Sequence, residues 1–205
     1  KGFNLPLEGF LHVRKPHFFE DAQEGETEAQ FVARLLAELE ARILSEGPDT
    51  IAAFFTEPVM AAGGVIVPPD GYFDGLQALL NKYDILLVAD EVVTAFGRTG
   101  NMFGTTTMKL RPDLIVCAKG LTSAYIPMSA LLINARIFDA MVEYSDRLGI
   151  FGLTMTYSGH PVSAAVAREA IAIYEDLDIP ARSAALEATL LDGLMARLGN
   201  HPNVG

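Results

Sequence analysis

Three polar residues close apolar runs in this chain. Glu57 ends "TIAAFFTE", Asp90 ends "DILLVAD" and Lys119 ends "RPDLIVCAK". A lysine in apolar surroundings gives up its proton more readily than one in water, and its neutral amine attacks carbonyl carbon to form a Schiff base. A carboxylate at the same edge, such as Asp90, can hold a proton on the nitrogen of a nearby ring. Val92 follows two residues later, and residues two apart share one face of a strand. Charge and methyl surface together suit a flat heterocycle with a basic nitrogen. Glu91, beside Asp90, reads as a strand terminus facing water, or as a group making a local hydrogen bond. Arg98 reads as a brace for its own loop or for a subunit contact, and Cys117 as a small buried hydrophobe on the same strand face as Lys119. The four histidines have no metal-ligand spacing, and the methionines at 102, 108, 128, 141, 155 and 195 read as packing.

These residues need a scaffold. "GETEAQFVARLLAELEARILSEG" predicts a helix, with Thr27 and Gln30 as a capping box, Phe31, Leu35, Leu39 and Ile43 at helical spacing, and Gly47–Pro48 as the stop. A buried strand follows up to Glu57, then a helix over "GYFDGLQALLNKY", a second strand to Asp90, a polar loop, and a third strand ending at Lys119. "PMSALLIN" is a fourth strand, and helices follow at 136–145, about 161–176 and about 181–198, with Pro161 at a favoured first-turn position. Near-continuous apolar strands alternating with helices predict a three-layer α/β/α fold with a mostly parallel sheet covered on both faces. Only "GLTSAYI" separates the third strand from the fourth. A parallel crossover needs about a dozen residues or more, so the fourth strand is expected to run antiparallel. In such a sheet, ligands sit beyond the carboxyl ends of the strands, where Glu57, Asp90 and Lys119 stand.

Bulk properties narrow the function. Half of the 205 residues are hydrophobic and the net formal charge is −11, with no basic cluster, which argues against nucleic acid or an anionic membrane as partner. The single cysteine excludes an internal disulfide and indicates a reducing, cytoplasmic setting. An apolar strand ending in Asp-Glu also describes the magnesium strand of a P-loop ATPase. That alternative needs Gly-x-x-x-x-Gly-Lys-Ser/Thr upstream, which residues 1–89 lack.

Four ordered segments, "FFTEPVMAAGGVIVPPDGYF", "LLVADEVVTAFGRTG", "PDLIVCAKGLTSAYIPMSALLI" and "TYSGHPVSAAVA", resemble the class III (omega) aminotransferases, pyridoxal-phosphate enzymes of fold type I. The resemblance implies roles for individual residues. Lys119 matches the lysine that joins the cofactor through a Schiff base and moves the substrate proton. Asp90 matches the carboxylate paired with the pyridine nitrogen, Val92 the side chain packed on one ring face, and Thr156 the hydroxyl that reaches the phosphate held by a neighbouring subunit. Thr156 therefore implies a homodimer or higher homo-oligomer with shared sites. Glu57 matches a position near the substrate whose role varies. Ala61, Ala124 and Ser129 stand where the family often has glycine, so these loops are expected to differ in shape.

The family's phosphate-cradling turn and ring-stacking aromatic precede the segment matched here, and its small domain follows it. Residues 1–205 are accordingly expected to be the central part of a large cofactor-binding domain, incomplete at both ends, its last helix leading toward a small C-terminal domain. The implied reaction moves an amino group from an amine or omega-amino acid to pyruvate or another 2-oxo acid. An aminomutase or decarboxylase with the same cofactor, or a non-catalytic piece, is the alternative.

Overall fold

The computed structural model describes residues 7–153 and 155–202. After a short helix α1 (Phe18–Asp21), α2 runs from Glu28 to Glu46. Its start is the capping box read from the sequence: the Gln30 N–H donates to the Thr27 hydroxyl at 3.3 Å, and the Thr27 N–H donates to Gln30 Oε1 at 2.9 Å. Gly47, at φ +89°, ends it by taking a conformation that side chains resist. β1 (Ala53–Thr56), α3 (Tyr72–Lys82) and β2 (Leu86–Asp90) follow, then the one-turn helix α4 (Gly104–Thr107), β3 (Leu114–Cys117), a 3₁₀ turn (Lys119–Thr122) and β4 (Ala130–Ile133). Three helices complete the chain: α5 (Ala135–Leu148), α6 (Pro161–Asp176) and α7 (Ile179–Leu198).

The four strands lie in sequence order; β1, β2 and β3 are parallel, and β4 pairs antiparallel with β3 through Leu114↔Ile133 and Cys117↔Ala130. The short link after β3 allows no other direction, as the sequence indicated. The main core lies between the sheet and two helices. Phe31, Leu35, Leu39 and Ile43 of α2 meet Tyr72, Phe73, Leu76 and Leu80 of α3 over Leu87 of β2, with Phe54 packed alongside.

The expectation of strands buried on both faces holds only for β2; Leu114, Ile115 and Val116 of the other inner strand, β3, are half-buried. Leu87, Val88 and Ala89 of β2 are buried, whereas Phe55 of β1 is 64 % exposed and Leu131 and Leu132 of β4 are 57 % and 42 % exposed. The reason is positional: β1 and β4 are the edge strands. Phe54 and Phe55 point to opposite faces, and only the Phe54 face meets the α2–α3 layer. Two of the methionines read as packing, Met155 and Met195, are 73 % and 60 % exposed. No helix among the described residues is long and apolar enough to cross a membrane.

Candidate active site

The register of the sheet assembles the site. Thr56 pairs with Ala89 and Asp90 pairs with Val116, so Glu57, Asp90 and the residues after Cys117 leave the sheet side by side at its carboxyl edge. Neighbouring strands are about 4.8 Å apart, which brings the three polar residues of the sequence reading to one rim. The Glu91 N–H donates to the Val116 carbonyl at 2.8 Å and carries the β2–β3 pairing one residue past Asp90.

Lys119 does not sit on the strand, as the sequence reading had it. β3 stops at Cys117, and Lys119 opens the 3₁₀ turn at φ +44°. A non-glycine residue in the left-handed region costs on the order of 1–3 kcal/mol. The turn swings the lysine out of the pleat to an exposed position, while Cys117 stays buried in the strand. The two residues therefore do not share a strand face. Burial pushes the Cys117 thiol up, which keeps it protonated and inert, in accord with its reading as a packing residue.

Asp90 is half-buried at the last position of β2, and Val92 lies in the turn beyond it. The alternation argument that paired them does not apply past the strand end. Another contact joins them: the Val92 N–H donates to Asp90 Oδ1 at 3.0 Å. This local bond holds the carboxylate in one orientation and leaves Oδ2 without a partner among the described residues. Glu57 is turned back on its own loop, where Oε2 accepts from the Ala61 N–H at 3.0 Å.

Glu91 is more than a strand terminus. It is fully buried, and its two oxygens accept from the Thr94 hydroxyl at 2.5 Å, the Gly104 N–H at 2.9 Å and the Thr105 N–H at 2.6 Å. A buried carboxylate is tolerable only when its lone pairs are satisfied in this way. Gly104 is the residue that lets the loop come close enough: a Cβ there would lie 2.8 Å from Thr94 Cβ, 3.0 Å from Glu91 Oε2 and 3.1 Å from Pro58 Cβ. The loops after β1 and β2 are thus locked together beneath the rim. Arg98 braces its loop as read, donating from Nε to the Val93 carbonyl at 2.8 Å.

A second lock was not legible. Tyr174 of α6 reaches the Lys119 turn, donating to the Gly120 carbonyl at 2.6 Å, and its ring lies beside Phe96 of the loop after Asp90. Nothing in "IYEDLD" marks the tyrosine as special. Ala124, where the family often has glycine, nonetheless takes φ +62°, so the glycine-like backbone is retained at the cost of strain. Thr156 is exposed in the turn between α5 and α6, and His160 caps α6 by backbone alone. No cluster of potential metal ligands occurs among the described residues.

Comparison with known proteins gives this rim its context. The model of the family described as aminotransferase class-III matches residues 2–204. The chain is 47 % identical over 203 residues to a probable gamma-aminobutyrate transaminase 4 of Oryza sativa subsp. japonica, covering 99 % of this chain and 42 % of that protein. It is 47 % identical over 205 residues to a mitochondrial gamma aminobutyrate transaminase 1 of Solanum lycopersicum, covering all of this chain and 40 % of that one. Among solved structures, the omega transaminase from Pseudomonas jessenii in complex with PMP matches with a TM-score of 0.96 at 49 % identity, over 100 % of this chain and 45 % of that one. A transaminase with L-ala matches with a TM-score of 0.94 at 50 % identity, over 100 % and 48 %. The chain thus spans less than half the length of each of these relatives. Its four strands, its rim residues and its match over almost every position make it a member of the class III aminotransferase family.

Proposed function

We propose that the chain supplies the lysine and the ring-nitrogen partner of a pyridoxal-phosphate-dependent transaminase, which moves an amino group from an amine or omega-amino acid to pyruvate or another 2-oxo acid. One observation carries this reading: the Asp90↔Val116 register, which sets a carboxylate at the end of β2 beside the strand that feeds the Lys119 turn.

The donor set fits the cofactor. Asp90 has one oxygen committed to the Val92 N–H and another available for a ring N–H. Lys119 is exposed at the same rim, where its amine can reach an aldehyde. Val92 offers an aliphatic surface next to that carboxylate. When bound, pyridoxal phosphate supplies the carbonyl carbon that amines attack and a ring that takes up the electron pair released at the substrate carbon. Asp90 would hold a proton on the ring nitrogen, so that this electron pair would have a positive sink. With the cofactor bound, Lys119 would be the nucleophile that holds it, and its amine would carry the proton at the substrate carbon. Glu57 borders the substrate side of the rim.

Thr156 is assigned to the phosphate bound in a second subunit, which makes the working unit a homodimer or larger assembly. Its surroundings support an interface: Ile150, Phe151, Leu153, Met155 and Tyr157 form an exposed apolar stretch. The single buried thiol supports a reducing location, taken as cytoplasmic.

The test is borohydride trapping on the full-length protein incubated with pyridoxal phosphate, followed by digestion and mass mapping. The expected outcome is a label confined to Lys119 and lost in Lys119→Ala. A full-length chain that takes no label removes the transaminase reading.

A further inference from the structure

The turn that presents Lys119 is gripped by a side chain 54 residues away. Tyr174 donates its hydroxyl proton to the Gly120 carbonyl at 2.6 Å. A phenol has a single proton, so the Ser123 hydroxyl, which also contacts the Tyr174 oxygen, is the donor in that second bond. One oxygen therefore ties together two points of the turn, one residue and four residues after Lys119.

The grip continues into the other half of the site. The Tyr174 ring lies 6.1 Å from the Phe96 ring, and Phe96 lies 6.0 Å from Phe103. Phe96 also covers Gly120, where an added Cβ would sit 3.0 Å from the Phe96 ring. Phe96 belongs to the loop that leaves Asp90. α6, the Lys119 turn and the Asp90 loop thus meet at Tyr174. Four non-glycine residues around this junction are in the left-handed region: Phe96 at φ +63°, Lys119 at +44°, Ser123 at +49° and Ala124 at +62°. Such residues persist only where their surroundings over-determine them, and they gather at functional sites. Among the described residues, Tyr174 is the side chain that hydrogen-bonds to this turn from outside it.

We propose that Tyr174 is a positioning residue for Lys119: its hydroxyl fixes the Gly120 carbonyl and the Ser123 side chain, so that the lysine amine leaves the sheet edge in one direction. This rests on the Schiff-base reading of Lys119. Loss of the hydroxyl leaves the phenyl packing on Phe96 intact but frees the turn. The amine then samples several directions, and the surroundings of its nitrogen change.

The experiment compares full-length Tyr174→Phe and Ser123→Ala with the parent protein, all loaded with pyridoxal phosphate. Tyr83→Phe is the control, because it deletes a similar bond, 2.8 Å to Glu40, on the α2–α3 side of the sheet. The pH titration of the visible band of the lysine-bound cofactor is read first. In Tyr174→Phe its midpoint moves by about half a pH unit or more, since a changed environment alters proton affinity. Turnover falls roughly tenfold or more, as for a small misplacement of a reacting group, while KM for the amine stays within about twofold. Ser123→Ala shifts the midpoint in the same direction by less. In the unloaded protein, hydrogen exchange of the 118–125 backbone rises in Tyr174→Phe and stays unchanged in Tyr83→Phe. A Tyr174→Phe midpoint equal to that of the parent and of Tyr83→Phe, with the parent labelled at Lys119, overturns the positioning role alone. A parent without label at Lys119 overturns the functional reading and this role with it.

Discussion

Asp90 and Glu91 are adjacent carboxylates with opposite fates: Asp90 stays half-buried at the rim on one bond from the Val92 N–H, whereas Glu91 is fully buried beneath three donors. The loop that returns at Gly104 and Thr105 separates them, because it closes over Glu91. One residue is left free to act on a ligand, and the other fastens the loop that follows. Glu91→Ala would strip the acceptor from two buried N–H groups and a buried hydroxyl. Each such loss costs about 1–3 kcal/mol, so a total of at least about 3 kcal/mol is expected in denaturant unfolding. Glu91→Gln keeps the shape but turns an amide N–H toward one of the donors, and its loss should be smaller yet clear. Wild-type stability in Glu91→Ala would show that the buried carboxylate is not what holds the loop.

Gly104 and Gly193 should respond in opposite directions to the same substitution. At Gly104 an added methyl meets Thr94 Cβ, Glu91 Oε2 and Pro58 Cβ within 3.1 Å; two are Cβ atoms and the third is a carboxylate oxygen held in place by its own hydrogen bonds. Overpacking of this kind costs about 1–3 kcal/mol. At Gly193, inside α7 and exposed, an added Cβ meets nothing within 4 Å. Alanine there removes the helix penalty of glycine and should stabilise by about 0.5–1 kcal/mol. Chemical denaturation of the two variants checks both signs at once.

The acid limb of stability should depend on Glu26. Arg34 grips it with two bonds, Nε at 2.7 Å and Nη2 at 2.8 Å, and the Gln23 N–H adds a third at 2.8 Å. The Arg34 guanidinium, aided by that N–H, outweighs the opposing effect of desolvation and brings the carboxyl from 4.5 down to about 2. A depressed carboxyl adds stability above its unfolded pKa and loses it as pH falls through the folded one. The contribution should be complete above pH 4.5 and disappear toward about pH 2. Melting curves of Glu26→Gln and the parent should therefore differ at neutral pH and converge across that window. A gap that stays constant down to pH 2 would rule the ion pair out as its source.

The sequence disclosed those features whose causes lie close together in the chain. The α2 cap needs only Thr27 and Gln30, and the direction of β4 follows from the few residues after β3. Asp90 and Lys119 could be picked out because each ends an apolar run. What stayed hidden depends on distant partners. The Lys119 turn is shaped by Phe96 and Tyr174, and the anchoring of Glu91 depends on Gly104 and Thr105, 13 and 14 positions away. An edge strand also looks like a central one in sequence: "AFFT" and "LLVAD" are both apolar, yet Phe55 is open and Val88 is not. Neighbours in the sheet decide that difference, and periodicity carries no record of them.

Asp90 and Val92 offer the sharpest separation of charge from shape at the rim. Asp90→Asn preserves the acceptor for the Val92 N–H, because one amide oxygen remains, but it removes the charge. A ring nitrogen facing a neutral amide no longer holds its proton, so the electron pair at the substrate carbon loses its sink. Turnover should fall on the order of 10²–10³-fold, the scale of one lost preorganised electrostatic partner, with the Lys119 label still forming. Val92→Ala leaves the charge in place and removes part of the aliphatic surface. It should weaken cofactor binding by roughly tenfold, as about two buried methyl groups' worth of contact is lost, and leave the pH dependence of turnover unchanged. Stopped-flow half-reactions with an amine donor measure the first effect, and equilibrium dialysis of pyridoxal phosphate the second. If Asp90→Asn turns over like the parent, the carboxylate has no role in the electronics of the ring, and the register that brought it beside the Lys119 turn must serve the fold alone.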